Sequence, residues 1–131
     1  MIIGTGIDML EKDRVRRTLG TPHGARFVER VLTVEEKELA SRWTGRRLAE
    51  FVAGRFCAKE AVAKALGCGI GGRLGFHDIR IVPDAAGKPL CDLSPEALER
   101  LGLPASLRIH LSITHSDTMA AAYAVAELPN V

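Results

Sequence analysis

The segment that most constrains the fold is residues 51–67, FVAGRFCAKEAVAKALG, which is the strongest helix candidate in the chain. It is rich in Ala, Leu, Glu, Lys and Arg, which favour helices, and Gly67 stands where a helix C-cap is expected. At about 100° per residue, large apolar residues spread over one broad arc and small residues over the other side. A surface helix normally separates a polar face from an apolar stripe. We therefore predict that this helix is covered on most of its circumference.

Four charged residues of this helix are predicted to point into the structure. Arg55 and Lys59 fall within the apolar arc, whereas Glu60 and Lys64 lie among the small residues. Buried charges need partners or a ligand, so we interpret the helix as the wall of a site for an anionic ligand. The alternative for Glu60 and Lys64 is a plain surface pair four residues apart, which contributes only a few tenths of a kcal/mol.

Length and composition predict one cytoplasmic domain that neither binds nucleic acid nor enters a membrane. The chain has 131 residues, a formal net charge of +2, one Trp and one Tyr. This length fits one domain, and so few aromatic residues do not make a stacking platform for single strands. No stretch approaches the roughly 18 apolar residues of a membrane span. The three cysteines lack zinc spacing, and without a signal-peptide pattern they indicate free thiols in a reducing compartment.

The remaining segments mix strands and helices without regular alternation, which predicts an α+β fold rather than a doubly wound one. We expect a mostly antiparallel sheet packed on the central helix, with Gly45 interrupting the chain before that helix. Thr33 and Glu36 form a capping-box pattern, and Ser94-Pro95 marks another helix start. The predicted strands are 2–7, 78–82, 88–93, 107–115 and 118–126, the last apolar on both faces and therefore covered; the other predicted helices are 11–19, 34–43 and 95–102, and 26–31 is ambiguous.

Asp8 follows the first predicted strand, in which Gly4 and Gly6 allow close backbone approach. It is either a rigidly held metal ligand or the N-cap of the next helix, because Asp is favoured at both positions. Two carboxylates, Asp8 and Glu60, suit Mg²⁺, which keeps several waters and joins carboxylates to substrate phosphates. Lys64 would then meet a phosphate as a point charge.

Two further groups of residues are candidates for ligand contacts. His115 ends a strand beside a turn, where its ring is able to reach a ligand, although a lone His is more often structural. The helix at 11–19 is basic because it carries Arg14 and Arg17. A charge cluster is usually a solvated face; the sharper interpretation is a docking surface for an acidic partner.

Four stretches of the chain form an ordered set of motifs: GIDMLEKDR at 6–14, GRFCAKEAVAKALGCGIG at 54–71, GKP at 87–89 and LSITHSDTMAAAYAVA at 111–126. In this order they resemble the holo-[acyl-carrier-protein] synthases, the small bacterial phosphopantetheinyl transferases. Together they span nearly the whole chain, and their joint order is more specific than any one motif. Cys57 and Cys68 stand where Ala and Thr are common in the family, and residues 40–48 carry no family motif.

The resemblance implies transfer of 4′-phosphopantetheine from coenzyme A to a serine of apo-acyl carrier protein, with Mg²⁺, in fatty acid biosynthesis. Adenosine 3′,5′-bisphosphate would be the other product. The resemblance also implies a homotrimer that binds coenzyme A between neighbouring subunits. Glu60, directly or through a water, is our candidate for accepting the serine proton. The implied roles are metal binding and catalysis for Asp8 and Glu60, catalysis and coenzyme contact for Lys64, coenzyme contact for Arg55 and His115, and carrier docking for Arg14, with Arg17 beside it.

Two other functions stay open from the sequence. Asp8, Glu60 and Lys64 would also serve a metal-dependent phosphodiesterase or nuclease, although the common Glu-x-Lys spacing of such sites differs from the spacing here. The second alternative is a module that binds coenzyme A without catalysis.

Overall fold

The computed structural model describes residues 1–129, which form five helices, five strands and a 3₁₀ turn at Phe76–Asp78. The predicted α+β class is confirmed. The strands are β1 (Ile2–Glu11), β2 (Ile79–Pro83), β3 (Pro89–Leu93), β4 (Arg108–His115) and β5 (Met119–Glu127). The helices are α1 (Lys12–Leu19), α2 (Gly24–Val31), α3 (Val34–Ala40), α4 (Gly45–Ala65) and α5 (Pro95–Leu101).

The main sheet is antiparallel with strand order β1-β5-β4, and β2 and β3 form a separate antiparallel hairpin. Directly opposed residues of neighbouring strands share a face. One row across the sheet is Asp8, Ala122 and Ile113, and the next runs through Ala120 to His115. Ala120 and Ala122 are buried, because this face packs against α4. Asp8 and His115 therefore lie on the helix side of the sheet, at opposite edges.

The strand β5 is covered on one face only within a single chain. Its alanines at alternate positions are buried beneath α4, whereas Tyr123 on the other face is 45% exposed. The prediction that 118–126 is covered on both faces is therefore wrong for the isolated chain. The apolar residues at successive positions of 118–126 show that both faces of the strand are apolar. They do not show that another part of the same chain packs against each face.

Close contact between β1 and α4 depends on two glycines. A Cβ atom at Gly6 would overlap the carbonyl oxygen of Ala61 and stand 2.8 Å from the backbone nitrogen of Ala65. A Cβ atom at Gly4 would overlap the carbonyl oxygen of Ala65. The predicted close approach is confirmed, and it brings the last two turns of α4 directly onto the strand that carries Asp8.

A fully buried ion pair fixes the other side of α4. The Lys59 ammonium donates to Glu36 Oε1 at 2.6 Å, and also to the carbonyl oxygens of Val31 at 2.7 Å and Phe76 at 3.0 Å. Both side chains are 0% exposed. Glu36 also accepts from the backbone nitrogens of Thr33 and Ile81, and the first bond completes the predicted capping box. Lys59 therefore joins four segments of the fold.

Three predicted boundaries are wrong. Helix α4 begins at Gly45, six residues before the predicted start, because the left-handed backbone of Gly45 (φ +56°) opens the helix instead of separating it from the chain before. Helix α3 ends at Ala40 rather than near Trp43. Strand β1 continues to Glu11, which is the N-cap residue of α1. Asp8 therefore lies inside a strand and does not cap the helix.

The ambiguous residues 26–31 belong to α2. Among residues 1–129, no helix combines the length and apolar character that a membrane span requires.

Candidate functional site

Asp8, Glu60 and Lys64 are brought together where the end of α4 crosses β1. The Lys64 ammonium donates to Asp8 Oδ1 at 3.1 Å and to the carbonyl oxygen of Ile7 at 3.0 Å. Glu60 stands one helical turn before Lys64 on α4, and the negative charge of Asp8 acts on it. The Asp8 side chain is 19% exposed and that of Lys64 51%, so the group opens to solvent. We name Asp8, Glu60 and Lys64 the carboxylate cluster.

The electrostatics of the carboxylate cluster fit a divalent cation. Burial raises the pKa of Glu60, the nearby charge of Asp8 raises it further, and Lys64 opposes the rise. A nearby cation would favour the ionised form of Glu60 and so oppose this effect of burial and of Asp8. Among the described residues, no group of three or more His, Cys, Asp and Glu is placed to hold a metal. The protein would therefore supply two ligands and leave positions for water and phosphate oxygens, as Mg²⁺ sites commonly do.

Cys57 lies beneath the carboxylate cluster and remains a thiol. Its Sγ is 3.6 Å from the carbonyl oxygen of Ala120, to which it donates, and the residue is 0% exposed. Burial raises the pKa of Cys57 to about 12, with Asp8 and Glu60 adding to the effect. Because the reactive form of cysteine is the thiolate, Cys57 is a packing residue here and not a nucleophile.

Arg55 and His115 line a second site, a pocket of about 330 Å³ between the first half of α4 and the end of β4. The Arg55 guanidinium lies 4.4 Å from the centroid of the Phe51 ring. Its buried Nε has no hydrogen-bond partner among residues 1–129, and burial lowers the pKa of Arg55. We name this space the α4–β4 pocket; its lining residues are Trp43, Arg47, Glu50, Phe51, Gly54, Arg55, Ile113 and His115.

Glu50 lies close to a lysine, an arginine and a histidine at the edge of the α4–β4 pocket. Its carboxylate oxygens lie 3.5 Å from Lys12 Nζ, 3.4 Å from Arg46 Nε and 3.8 Å from His115 Nε2. Burial favours the neutral acid, but Lys12, His115 and Arg46 outweigh it and lower the pKa of Glu50. The carboxylate thus connects the start of α1 with the end of β4.

The sequence did not single out Trp43, Arg47 or Glu50. These residues fall in or beside the stretch 40–48, which has no motif, and their pocket exists only because β4 ends beside α4. The available signal was compositional, since Trp43 is the only tryptophan of the chain.

The predicted site residues therefore form two groups along α4. Arg55 and Glu60 are five residues apart, which corresponds to a rise of about 7.5 Å and a rotation of about 140°. The carboxylate cluster lies over β1, and Arg55 faces the pocket beside β4. The sequence analysis placed Lys59 in the wall of a site for an anionic ligand. Lys59 faces neither group of site residues, because its ammonium is buried against Glu36.

Arg14 and Arg17 are exposed on α1. They line an open depression of about 410 Å³ with Thr18, Thr21 and His23.

Comparison with known proteins identifies the family. The family model of the 4′-phosphopantetheinyl transferase superfamily matches residues 4–126 of this chain. The chain belongs to this superfamily. The holo-[acyl-carrier-protein] synthase of Bacillus cytotoxicus is 42% identical to this transferase over 130 residues, which are 99% of both chains. That of Bacillus cereus strain B4264 is 44% identical over 127 residues, which are 97% of both chains.

Solved structures agree with this assignment. The crystal structure of a holo-(acyl-carrier-protein) synthase from Bacillus anthracis, in complex with CoA (3′,5′-ADP), is similar to this transferase with a TM-score of 0.83 and 41% identity. The match covers 98% of this chain and 99% of that one. The synthase from Neisseria meningitidis gives a TM-score of 0.84 at 36% identity and covers 97% and 99% of the two chains. The family resemblance inferred from the four sequence stretches is confirmed.

Proposed function

We propose that this chain transfers the 4′-phosphopantetheine group of coenzyme A to a serine hydroxyl of apo-acyl carrier protein and releases adenosine 3′,5′-bisphosphate. The observation that carries the proposal is the carboxylate cluster, which places Asp8, Glu60 and Lys64 together at the positions of the family motifs. The full-length relatives named holo-[acyl-carrier-protein] synthase support the choice of substrates.

In this proposal Asp8 and Glu60 hold Mg²⁺, which when bound neutralises phosphate charge and polarises the phosphorus that is attacked. Lys64 donates a hydrogen bond to a phosphate oxygen, because its ammonium is half exposed and already directed at the cluster. The donor set supports this assignment, since two carboxylates and open positions suit a hard cation.

The group transfer forms one bond and breaks one. The serine oxygen bonds to the β-phosphorus of the coenzyme diphosphate, and the bond from that phosphorus to the bridging oxygen breaks. Glu60, directly or through a water, accepts the serine proton, because its carboxylate belongs to the cluster at which the diphosphate is held. The bridging oxygen leaves with adenosine 3′,5′-bisphosphate.

Arg55 and His115 bind the other end of coenzyme A in this proposal. The unpartnered Nε of Arg55 supports it, because buried donors in native structures are normally satisfied. A ligand oxygen in the α4–β4 pocket would satisfy this donor.

The decisive experiment is mass spectrometry of an apo-carrier protein incubated with this chain, coenzyme A and Mg²⁺. Transfer adds about 340 Da to the carrier, the mass of the transferred group. Binding of coenzyme A without any mass change would identify a non-catalytic module. Cleavage of plasmid DNA with Mg²⁺ that disappears in Glu60→Gln would instead favour the nuclease alternative.

Carrier docking is assigned to Arg14 and Arg17 on α1. We expect Arg14→Glu to raise the KM for the carrier protein about tenfold or more while changing the KM for coenzyme A little, because it reverses one charge of a docking surface. Steady-state kinetics with each substrate varied in turn measures this difference. Lys37→Glu, a charge reversal of the same sign on α3, is the control. Equal changes in both KM values for Arg14→Glu would remove the docking assignment.

We further propose a homotrimer in which the outer sheet face, made by Ile3, Ile7, Met9 and Tyr123, packs between copies. These side chains are 37%, 59%, 60% and 45% exposed, and Ile7 stands directly opposite Tyr123. A contiguous apolar patch on a soluble protein commonly marks an interface. Coenzyme A bound between neighbouring subunits belongs to the same proposal.

The trimer is tested by light scattering. We expect a mass of three chains for the natural sequence and of one chain for the double variant Ile7→Glu/Tyr123→Glu, because two charges would have to be buried at the interface. Val34→Glu, at an apolar residue that is 74% exposed on α3, should stay trimeric. A monomer of the natural sequence at assay concentration would contradict the proposal.

A further inference from the structure

Trp43 is one of the residues of the α4–β4 pocket to which neither the sequence motifs nor the proposed reaction gives a role. It lies between α3 and α4, and its backbone nitrogen donates to the carbonyl oxygen of Ala40 at 3.0 Å. That bond ties it to the last residue of α3. The side chain is partly exposed and lines the pocket beside Arg55 and His115.

Two arginine–aromatic pairs meet in this pocket. The Arg47 guanidinium lies 5.2 Å from the centroid of the Trp43 ring, and Arg55 lies 4.4 Å from that of Phe51. Aromatic rings stack on nucleobases, and neighbouring arginines add cation–π attraction and charge for phosphate. A volume of about 330 Å³ falls at the lower end of the range for small-molecule sites, which suits a nucleoside rather than a macromolecule.

We propose that the indole of Trp43 stacks on the adenine of coenzyme A, with Arg47 holding the indole in place. This inference rests on the proposed function and extends it, because it names the residue that selects a donor bearing a nucleobase. The part of coenzyme A that reacts lies at the diphosphate, so Trp43 contributes binding and not chemistry. Phe51 stays covered by Arg55 and is not the stacking surface.

Fluorescence gives a direct test, because the emission of the only tryptophan reports on Trp43 alone. Adenosine 3′,5′-bisphosphate titrated into the full chain with Mg²⁺ should quench that emission with saturation. 4′-Phosphopantetheine, which has a phosphate but no base, should leave it unchanged. Equal quenching by both compounds, or none by the bisphosphate, would overturn the inference.

Substitution gives the second readout. Trp43→Ala should raise the KM for coenzyme A about 5- to 100-fold with kcat nearly unchanged, since base stacking contributes on this scale. Trp43→Phe keeps an aromatic face and should recover most of that loss. Leu90→Ala, at an exposed apolar residue of β3, is the control for general effects. A coenzyme KM in Trp43→Ala that equals the natural one would contradict the stacking role.

The two proposals fail separately. Carrier modification together with absent quenching by the bisphosphate would leave the transferase standing and remove the Trp43 assignment. Saturable quenching without carrier modification would keep a nucleotide pocket and remove the transferase. If Trp43→Ala does not fold, the quenching of the natural chain and the kinetics of Trp43→Phe decide the inference.

Discussion

Glu60→Gln and Asp8→Asn are each expected to lower the rate of carrier modification at least about 100-fold, which corresponds to about 2.7 kcal/mol of transition-state stabilisation. Each change removes one of the two carboxylates that we propose to hold Mg²⁺, and metal stabilisation supplies several kcal/mol. Rates are measured by the increase of carrier mass with time at saturating coenzyme A. Chelation of Mg²⁺ should abolish the activity of the natural sequence, and added Mg²⁺ should restore it.

The fold should survive both substitutions. The pKa of Glu60 is raised in the folded state. At a pH above the pKa that Glu60 has in the unfolded chain, its ionised side chain therefore lowers the stability of the fold. A neutral glutamine removes this destabilisation. Asp8 loses only a half-exposed partner, Lys64. We therefore expect unchanged or slightly higher melting temperatures at neutral pH. Glu99→Gln, an exposed carboxylate on α5, is the matched control, and near-normal turnover in Glu60→Gln or Asp8→Asn would refute the metal assignment.

The sequence predicts local structure correctly where that structure depends on residues close together in the chain. Thr33 and Glu36 satisfy each other's backbone three residues apart, so the capping box needed no tertiary information. The absence of a side chain at Gly6 is itself the feature that allows α4 to lie on β1. These predictions use geometry that a short segment carries with it.

Contacts between residues that lie far apart in the chain could not be predicted from the sequence. The helical period placed Lys59 on the inner arc of α4, but it gave no means of knowing that Glu36, 23 residues away, would face it. Similarly, Trp43 and Glu50 acquire neighbours only when β4 ends beside α4. Periodicity predicts the direction of a side chain, and the topology decides what stands opposite.

The difference between what the sequence pattern predicts and what the topology decides also explains why the site residues form two groups, the carboxylate cluster and the α4–β4 pocket. The motifs gave Asp8, Glu60 and Lys64 by resemblance, and the register of β1 against β5 brings Asp8 to the helix side of the sheet. Arg55 and His115 were assigned by the same family resemblance, but they line the α4–β4 pocket beside the first half of α4. A substrate that contacts both groups must be extended, and coenzyme A, with a diphosphate between its nucleotide and its pantetheine arm, has that form.

Lys59→Met is expected to lower the free energy of unfolding by about 3–5 kcal/mol, the usual cost of removing one partner of a buried ion pair. The change leaves the buried charge of Glu36 without its cation. It also leaves the carbonyl oxygens of Val31 and Phe76 without the donor that they share. Urea denaturation followed by circular dichroism measures the loss.

An exposed pair of similar geometry is the control. Lys37 Nζ lies 2.7 Å from Glu29 Oε1, with the two side chains 32% and 65% exposed, so Lys37→Met should cost less than about 1 kcal/mol. The double variant Glu36→Gln/Lys59→Met should be more stable than the sum of the single losses predicts, since neither buried charge is then left alone. Equal effects of Lys59→Met and Lys37→Met would mean that Lys59 does not hold the fold together, and its ammonium would again be a candidate for binding an anion.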